Sequence, residues 1–210
     1  MFESVSKFFS LAFGQQSGNR QVFHPSKICP ECGSKLFKEA GVNDEDDDVW
    51  RCPNPDCPAQ IRERLEHWCS RDAMDIEGGH KDFVAQLVKS GLVRDVAELY
   101  QLKLREIVTL EGMDEKSAQD FLNALTASKK REACRVLYGL AIPHVSTGAA
   151  KSLCGHFPSL DLILGTSAGQ LTEVQGISEV IAQEIVYWYG DGVNRKLIER
   201  LRKAGLNFKT

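Results

Sequence analysis

The sequence predicts a mainly α-helical chain: a four-cysteine finger with short β-hairpins, followed by a tandem helix-hairpin-helix domain of four hairpins. Three observations predict this. Cys29, Cys32, Cys52 and Cys57 form two close pairs across a gap of nineteen residues. After Cys57, apolar residues recur at spacings of three and four, the period of a helix with one buried face. A short line centred on glycine then returns at steps of 34, 32 and 32 residues, which implies one supersecondary unit used repeatedly.

The finger comes first. Cys29-Pro30-Glu31-Cys32 and Cys52-Pro53-Asn54-Pro55-Asp56-Cys57 are short turns that each present two thiolates. Zinc takes four such ligands at tetrahedral corners. Gly33 follows the first pair, and glycine tolerates the backbone angles of a tight knuckle. The alternatives are two disulfides or four buried thiols. Short-spaced cysteine pairs in a chain without secretory features favour the metal. Four protein ligands close the shell and leave no water position, so the zinc is expected to be structural. Cys69, Cys134 and Cys154 stand far apart in helical patterns and read as small buried hydrophobes. A reducing, cytoplasmic compartment follows.

The helical region comes next. Its repeated lines are Ile76-Glu77-Gly78-Gly79-His80, Leu110-Glu111-Gly112-Met113-Asp114, Ile142-Pro143-His144-Val145-Ser146 and Val174-Gln175-Gly176-Ile177-Ser178. Each is followed four residues later by a small or branched residue: Val84, Ala118, Ala150 or Ala182. A helical pattern precedes and follows each line, so the unit reads helix, tight turn, helix. The glycine permits the turn, the next residue plugs between the helices, and the small residue allows their close approach. Connecting helices are expected at roughly 58–70, 129–139, 158–164 and 194–204, with Gly205 a C-cap. Domain boundaries fall at 1–27 (amphipathic segment and linker), 28–59 (finger) and 60–210 (hairpin domain).

Residues 1–13 include Phe2, Val5, Phe8, Phe9, Leu11 and Phe13. This stretch is too short to span a bilayer, and Glu3 and Lys7 spoil it as a signal peptide. It reads as a short amphipathic helix packing on the body of the protein or on a partner, and no membrane partner is expected. The formal net charge is −3, unhelpful for holding phosphate. Asp44, Glu45, Asp46, Asp47 and Asp48 account for it as one acidic run, expected at a solvated loop tip.

A helix-hairpin-helix presents backbone N–H groups at the start of its second helix, and the helix dipole adds to their pull on a phosphate oxygen. Such contacts read the backbone and not the bases. Lys81, Lys116 and Lys151 stand at or just inside these second helices. A stacked helical scaffold is the alternative. No nucleophile–base arrangement is legible: His67, His80, His144 and His156 are scattered and read as surface or capping residues, and His24 as a neighbour of the metal knuckle.

The strings Cys-Pro-Glu-Cys-Gly-Ser-Lys-Leu (29–36), Arg-Cys-Pro-Asn-Pro-Asp-Cys-Pro-Ala-Gln (51–60), Ser-Arg-Asp-Ala-Met-Asp-Ile-Glu-Gly (70–78) and Leu-Glu-Gly-Met-Asp-Glu-Lys-Ser-Ala (110–118) resemble the carboxyl-terminal half of bacterial NAD⁺-dependent DNA ligase. The likeness runs from about residue 28 to about residue 207. It implies Cys29, Cys32, Cys52 and Cys57 as zinc ligands. It also implies a hairpin domain that grips duplex DNA through backbone and minor groove, in replication and repair. The implied DNA-facing residues are Gly78, Gly112, Lys116, His144, Val145, Ser146, Lys151, Gly176, Ile177 and Ser178.

Three departures qualify the resemblance. The family's AMP-accepting lysine sits in Lys-x-Asp-Gly; here Asp191-Gly192 has Tyr189 in that place, so neither a catalytic residue nor an NAD site is expected in this chain. Only 28 residues precede Cys29, too few for the oligonucleotide-binding barrel the family places there. The second glycine of the family's turns is replaced by His80, Asp114, Ser146 and Ser178, and the first turn carries Gly79 in place of the apolar plug. Asp114, Ser146 and Ser178 remain good N-caps, so the helices should form. The third and fourth hairpins are then the expected DNA contacts. Three functions compete: a non-catalytic duplex-binding module, a protein-interaction scaffold, and the DNA-gripping part of a split ligase whose adenylating domain is on another chain.

Overall fold

The computed structural model describes residues 27–39 and 49–210. The expected amphipathic segment, His24 and the acidic run at 44–48 lie outside the described residues.

Two strands, β1 (Phe37–Glu39) and β2 (Val49–Arg51), pair antiparallel with Lys38 opposite Trp50. A single bridge between Ile28 and Lys35 closes the first cysteine turn. Helix α1 (Pro58–Cys69) begins immediately after the last cysteine of the finger, with Cys57 at its N-cap position and Pro58 inside its first turn. Proline suits that position because its fixed φ is helical and its missing N–H would have no helical partner.

Ten more helices follow among the described residues: α2 (Lys81–Lys89), α3 (Val96–Leu99), α4 (Leu104–Ile107), α5 (Glu115–Ser128), α6 (Ala133–Gly139), α7 (Thr147–His156), α8 (Leu160–Gly165), α9 (Ala168–Leu171), α10 (Glu179–Gly190) and α11 (Gly192–Lys203). Each repeated line forms the turn of one hairpin. The turns join α1 to α2, α4 to α5, α6 to α7 and α9 to α10. Val84, Ala118, Ala150 and Ala182 are all fully buried, as close helix approach requires. Gly205 has φ +90° just beyond α11, where it permits the left-handed step that ends the helix.

Three connecting helices differ from the expected spans. α6 starts at Ala133, not Lys129, because α5 ends at Ser128 and residues 129–132 turn the chain toward α6. α8 starts at Leu160, where the hydroxyl of Ser159 accepts the amide hydrogen of Leu162. α11 starts earlier, at Gly192, because the Asp191 carboxylate accepts the amide of Val193.

The four hairpins come as two copies of a two-hairpin unit. Asp75 and Ala141, each just before the isoleucine that opens its turn, both take positive φ (+50° and +53°). The matching residues of the second and fourth hairpins, Thr109 and Glu173, do not. The first hairpin therefore pairs with the third, and the second with the fourth. One continuous core joins the units, from Ile61 of α1 to Leu201 of α11 and Phe208. Trp68, Leu65, Phe83, Leu99, Leu137, Leu153 and Ile163 are among its largest buried side chains, each contributing roughly 1.5–3 kcal/mol or more on burial. The Trp68 indole N–H donates to the Tyr100 hydroxyl at 3.1 Å, and that oxygen lies 3.0 Å from Oγ of Ser128. Arg135 ties the units together by donating to the carbonyls of Arg71 and Ala73. Arg200 does so from α11, reaching Asp95 at 2.5 Å.

Candidate metal centre and nucleic-acid interface

The two cysteine turns face each other. The ligand atoms of Cys29, Cys32, Cys52 and Cys57 all lie within 4.8 Å of one another. Sγ of Cys29 is 3.8 Å from that of Cys57, and Cys32 is 3.5 Å from Cys52. Zn–S bonds of about 2.3 Å in a tetrahedron place sulfurs about 3.8 Å apart, so the spacing fits zinc and is far too long for disulfides. Gly33 takes φ +73° inside the first knuckle. The Cys29 amide bonds the Ser34 carbonyl at 2.8 Å, and the Gly33 amide bonds the Cys29 carbonyl at 2.9 Å.

Protonation in this cluster is uneven. The Ser34 hydroxyl, helped by its backbone, holds the Cys32 thiol down to about 6. Burial pushes Cys57 up to about 12. Metal binding supplies the positive charge that makes four clustered thiolates tolerable, and it releases protons as it does so. Polar residues of α1 brace the knuckles from outside. Arg62 pairs with Glu31 of the first knuckle at 3.1 Å. Gln60 donates to the Cys52 carbonyl and Arg64 to the Pro55 carbonyl of the second, each at 2.5 Å.

The four turns share one backbone signature. Gly78, Gly112 and Gly176 have φ of +84°, +74° and +88°, and His144, in the same column of the repeat, has φ +63°. Position in the repeat is the sequence signal for this, since histidine by itself gives none. Gly112 and Gly176 have nothing within 4 Å of where a β-carbon would stand, so the positive φ of the turn, and not crowding within the chain, is what favours glycine there. The first turn lacks its apolar plug for a visible reason. A β-carbon on Gly79 would lie 2.7 Å from Cβ of Cys69; the buried Cys69 side chain fills that space instead.

All four second helices are capped by the last residue of the repeated line. His80 accepts from the Phe83 amide through Nδ1, Asp114 from Ser117, Ser146 from Ala149 and Ser178 from Ile181. Each cap takes the third amide of its helix. The first two amides of α7, on exposed Thr147 and Gly148, make no hydrogen bond to any of the described residues, and neither do those of Glu179 and Val180 on α10. The Ser117 hydroxyl and then the Ser117 amide hold the Asp114 carboxyl below the usual carboxylate range, so the second turn keeps its negative charge.

Of the expected DNA-facing residues, Gly78, Gly112, Lys116, His144, Lys151, Gly176 and Ser178 are exposed, and Ser146 is half-buried. Val145 and Ile177 are buried plugs whose amides bond the carbonyls of Ile142 and Val174. Cys69 is buried, with its thiol pushed up to about 12 by burial, and Cys154 is pushed equally high. Cys134 is also buried. None resembles an activated nucleophile. Of the scattered histidines, His80 caps α2, His67 bonds the Tyr138 carbonyl, and His144 and His156 are exposed.

A four-cysteine zinc finger running directly into paired helical hairpins defines the class. Comparison with known proteins gives the same assignment. Residues 29–59 match the NAD-dependent DNA ligase C4 zinc finger domain, and residues 135–198 match the helix-hairpin-helix motif. The second match spans the third and fourth hairpins, which is one copy of the two-hairpin unit. The chain is 44% identical over 178 residues to the DNA ligase of Synechococcus sp. (strain JA-3-3Ab), covering 85% of this chain and 26% of that protein. It is 39% identical over 194 residues to the DNA ligase of Rubrobacter xylanophilus, covering 92% and 28%. It is 37% identical over 206 residues to that of Methylacidiphilum infernorum, covering 98% and 29%. The resemblance to the zinc-finger and helix-hairpin-helix region of NAD-dependent DNA ligase therefore holds over most of this sequence. The chain spans between a quarter and a third of the length of these relatives. Among the described residues, no helix is long and apolar enough to cross a membrane.

Proposed function

We propose that this chain grips duplex DNA through its sugar–phosphate backbone, without reading sequence, as the non-catalytic part of a ligase-type system in replication and repair. The observation that carries this reading is the start of α7. There the exposed amides of Thr147 and Gly148 stand without partners among the described residues, and no acidic residue occupies the first turn. Such a helix start suits a phosphate oxygen. The ligase relatives supply the reaction context. In this reading residues 28–59 are a zinc-clamped joint, residues 60–210 are the gripping domain, and the working compartment is the cytoplasm or nucleoid.

The test is fluorescence anisotropy with a short labelled duplex at low salt. The chain should bind with micromolar affinity, and affinity should fall steeply with salt. Ser146→Asp combined with Ser178→Asp keeps both helix caps and adds charge where phosphate would sit. This variant should bind at least tenfold more weakly while melting like the parent. An unchanged affinity would exclude the turns as the contact surface.

A second reading, a protein-interaction scaffold, draws on the acidic second turn, where Asp114 stays charged beside Glu111 and Glu115. Absence of any shift at tens of micromolar protein would favour it. A split ligase is tested separately, by mixing the chain with an adenylating domain and assaying nick sealing.

A further inference from the structure

The sheet of the finger has one outward face. Ile28 pairs with Lys35 in an antiparallel bridge, and Phe37 pairs with Arg51 across β1 and β2. Directly opposed residues of antiparallel strands project to the same side, and so do residues two apart on one strand. Ile28, Lys35, Phe37 and Arg51 therefore share a face. All four are exposed, Ile28 at 55% and Phe37 at 47%. The opposite side carries Leu36 and Trp50, both half-buried. Ile28 lies diagonally across from Phe37, within reach of an aromatic side chain. Single exposed apolar residues are ordinary; here two are neighbours on a small sheet, bordered by two cations.

The chain supplies a segment of matching chemistry, joined to this face. The described residues open at Lys27, immediately before Ile28. Upstream and outside the described residues, helical spacing would put Phe2, Val5, Phe9 and Phe13 on one side and Glu3, Lys7 and Ser10 on the other. Residues 14–26, which include Gln15-Gln16-Ser17-Gly18-Asn19, can reach about 45 Å when extended. A tether of this kind holds the segment at an effective concentration of about 1 mM. A contact with an intrinsic Kd of about 0.1 mM then leaves roughly ten chains docked for each one undocked. Lys35 and Arg51 suit the rings of incoming phenylalanines, since a cation is attracted to an aromatic face.

We propose that residues 1–13 dock on the finger of their own chain. The apolar side of the segment covers Ile28 and Phe37, with Lys35 and Arg51 at the margin. This is independent of the duplex-binding reading. Another apolar surface among the described residues is the outer side of α10, where Val180 and Tyr187 are exposed at 57% and 83% and stand two turns apart. It serves as the control.

The experiment is photo-crosslinking in the full zinc-loaded chain at high dilution, with Phe9 replaced by p-benzoyl-phenylalanine and adducts mapped by peptide mass spectrometry. The adduct should fall within residues 28–51 of the same chain. Phe37→Asp should lower its yield by roughly fivefold or more, as expected when a tethered contact is lost. Val5→Asp, which leaves the finger itself unchanged, should lower it as much. Tyr187→Asp should leave the yield as in the parent. Zinc content and melting curves equal to those of the parent establish that each variant folds. Adducts on α10 or on a second copy of the chain would overturn the proposal. So would an absence of adducts, or a yield that survives either Phe37→Asp or Val5→Asp.

Discussion

A β-carbon added to Gly139 would stand 2.9 Å from Cε3 of Trp68. This approach sets how closely α6, the first helix of the second unit, lies against α1, the first helix of the first. Gly139→Ala forces the indole to move, and Trp68 cannot move without disturbing its bond to Tyr100. The expected destabilisation is about 1–3 kcal/mol, as for other overpacked cores, read by denaturant unfolding. Gly155→Ala is the control. Gly155 lies inside α7 with nothing within 4 Å of an added β-carbon, so that change should stabilise by about 0.5–1 kcal/mol.

His144 holds, at a cost, the left-handed backbone that glycine adopts freely in the other three turns. For a residue with a β-carbon this costs roughly 1–2 kcal/mol, and glycine in its place costs about 0.5–1 kcal/mol in extra chain entropy. His144→Gly should therefore raise stability by about 0.5 kcal/mol. Gly176→Ala, at φ +88°, should lower it by about 1 kcal/mol. If the two variants shift the unfolding midpoint in the same direction, the turns do not share one conformation.

Zinc removal should act locally. The continuous core begins at Ile61 and contains none of the four clustered cysteines. A strong chelator, or Cys57→Ser, should release one zinc per chain by metal analysis. Far-ultraviolet circular dichroism should keep most of its helical signal, because α2 to α11 stay packed. Only the finger and the start of α1, which Cys57 precedes, should loosen. Collapse of the whole helical signal would show that the finger holds up the hairpin domain.

Tyr100 should make the fold alkali-sensitive. Burial raises its phenol to about 12, against about 10 in the unfolded chain. Because the folded value is the higher one, its contribution is complete below about pH 10 and is lost as pH rises from there through about 12. Unfolding titrations should show stability falling across that window. Tyr100→Phe should flatten the fall, while leaving the Trp68 N–H without its partner at neutral pH. An equally steep fall in the variant would assign the alkaline transition elsewhere.

The chain's own sequence determined the finger, the number of hairpins and the position of every turn. Cysteine spacing is a local requirement of tetrahedral coordination, and the small residue four places into each second helix marks a close approach that only a small side chain permits. The caps were legible for the same reason: Asp114, Ser146 and Ser178 bond amides three residues away, so no distant contact is needed to place them. Tertiary structure alone decided that the hairpins form two copies of a pair, since this shows in the backbone angles of Asp75 and Ala141 and not in their chemistry. It also decided that Cys69 replaces the missing plug at Gly79 and that Trp68 requires glycine at 139. These pairings join residues on different turns and helices, and periodicity along a chain carries no information about which side chain will fill a space opened by another helix.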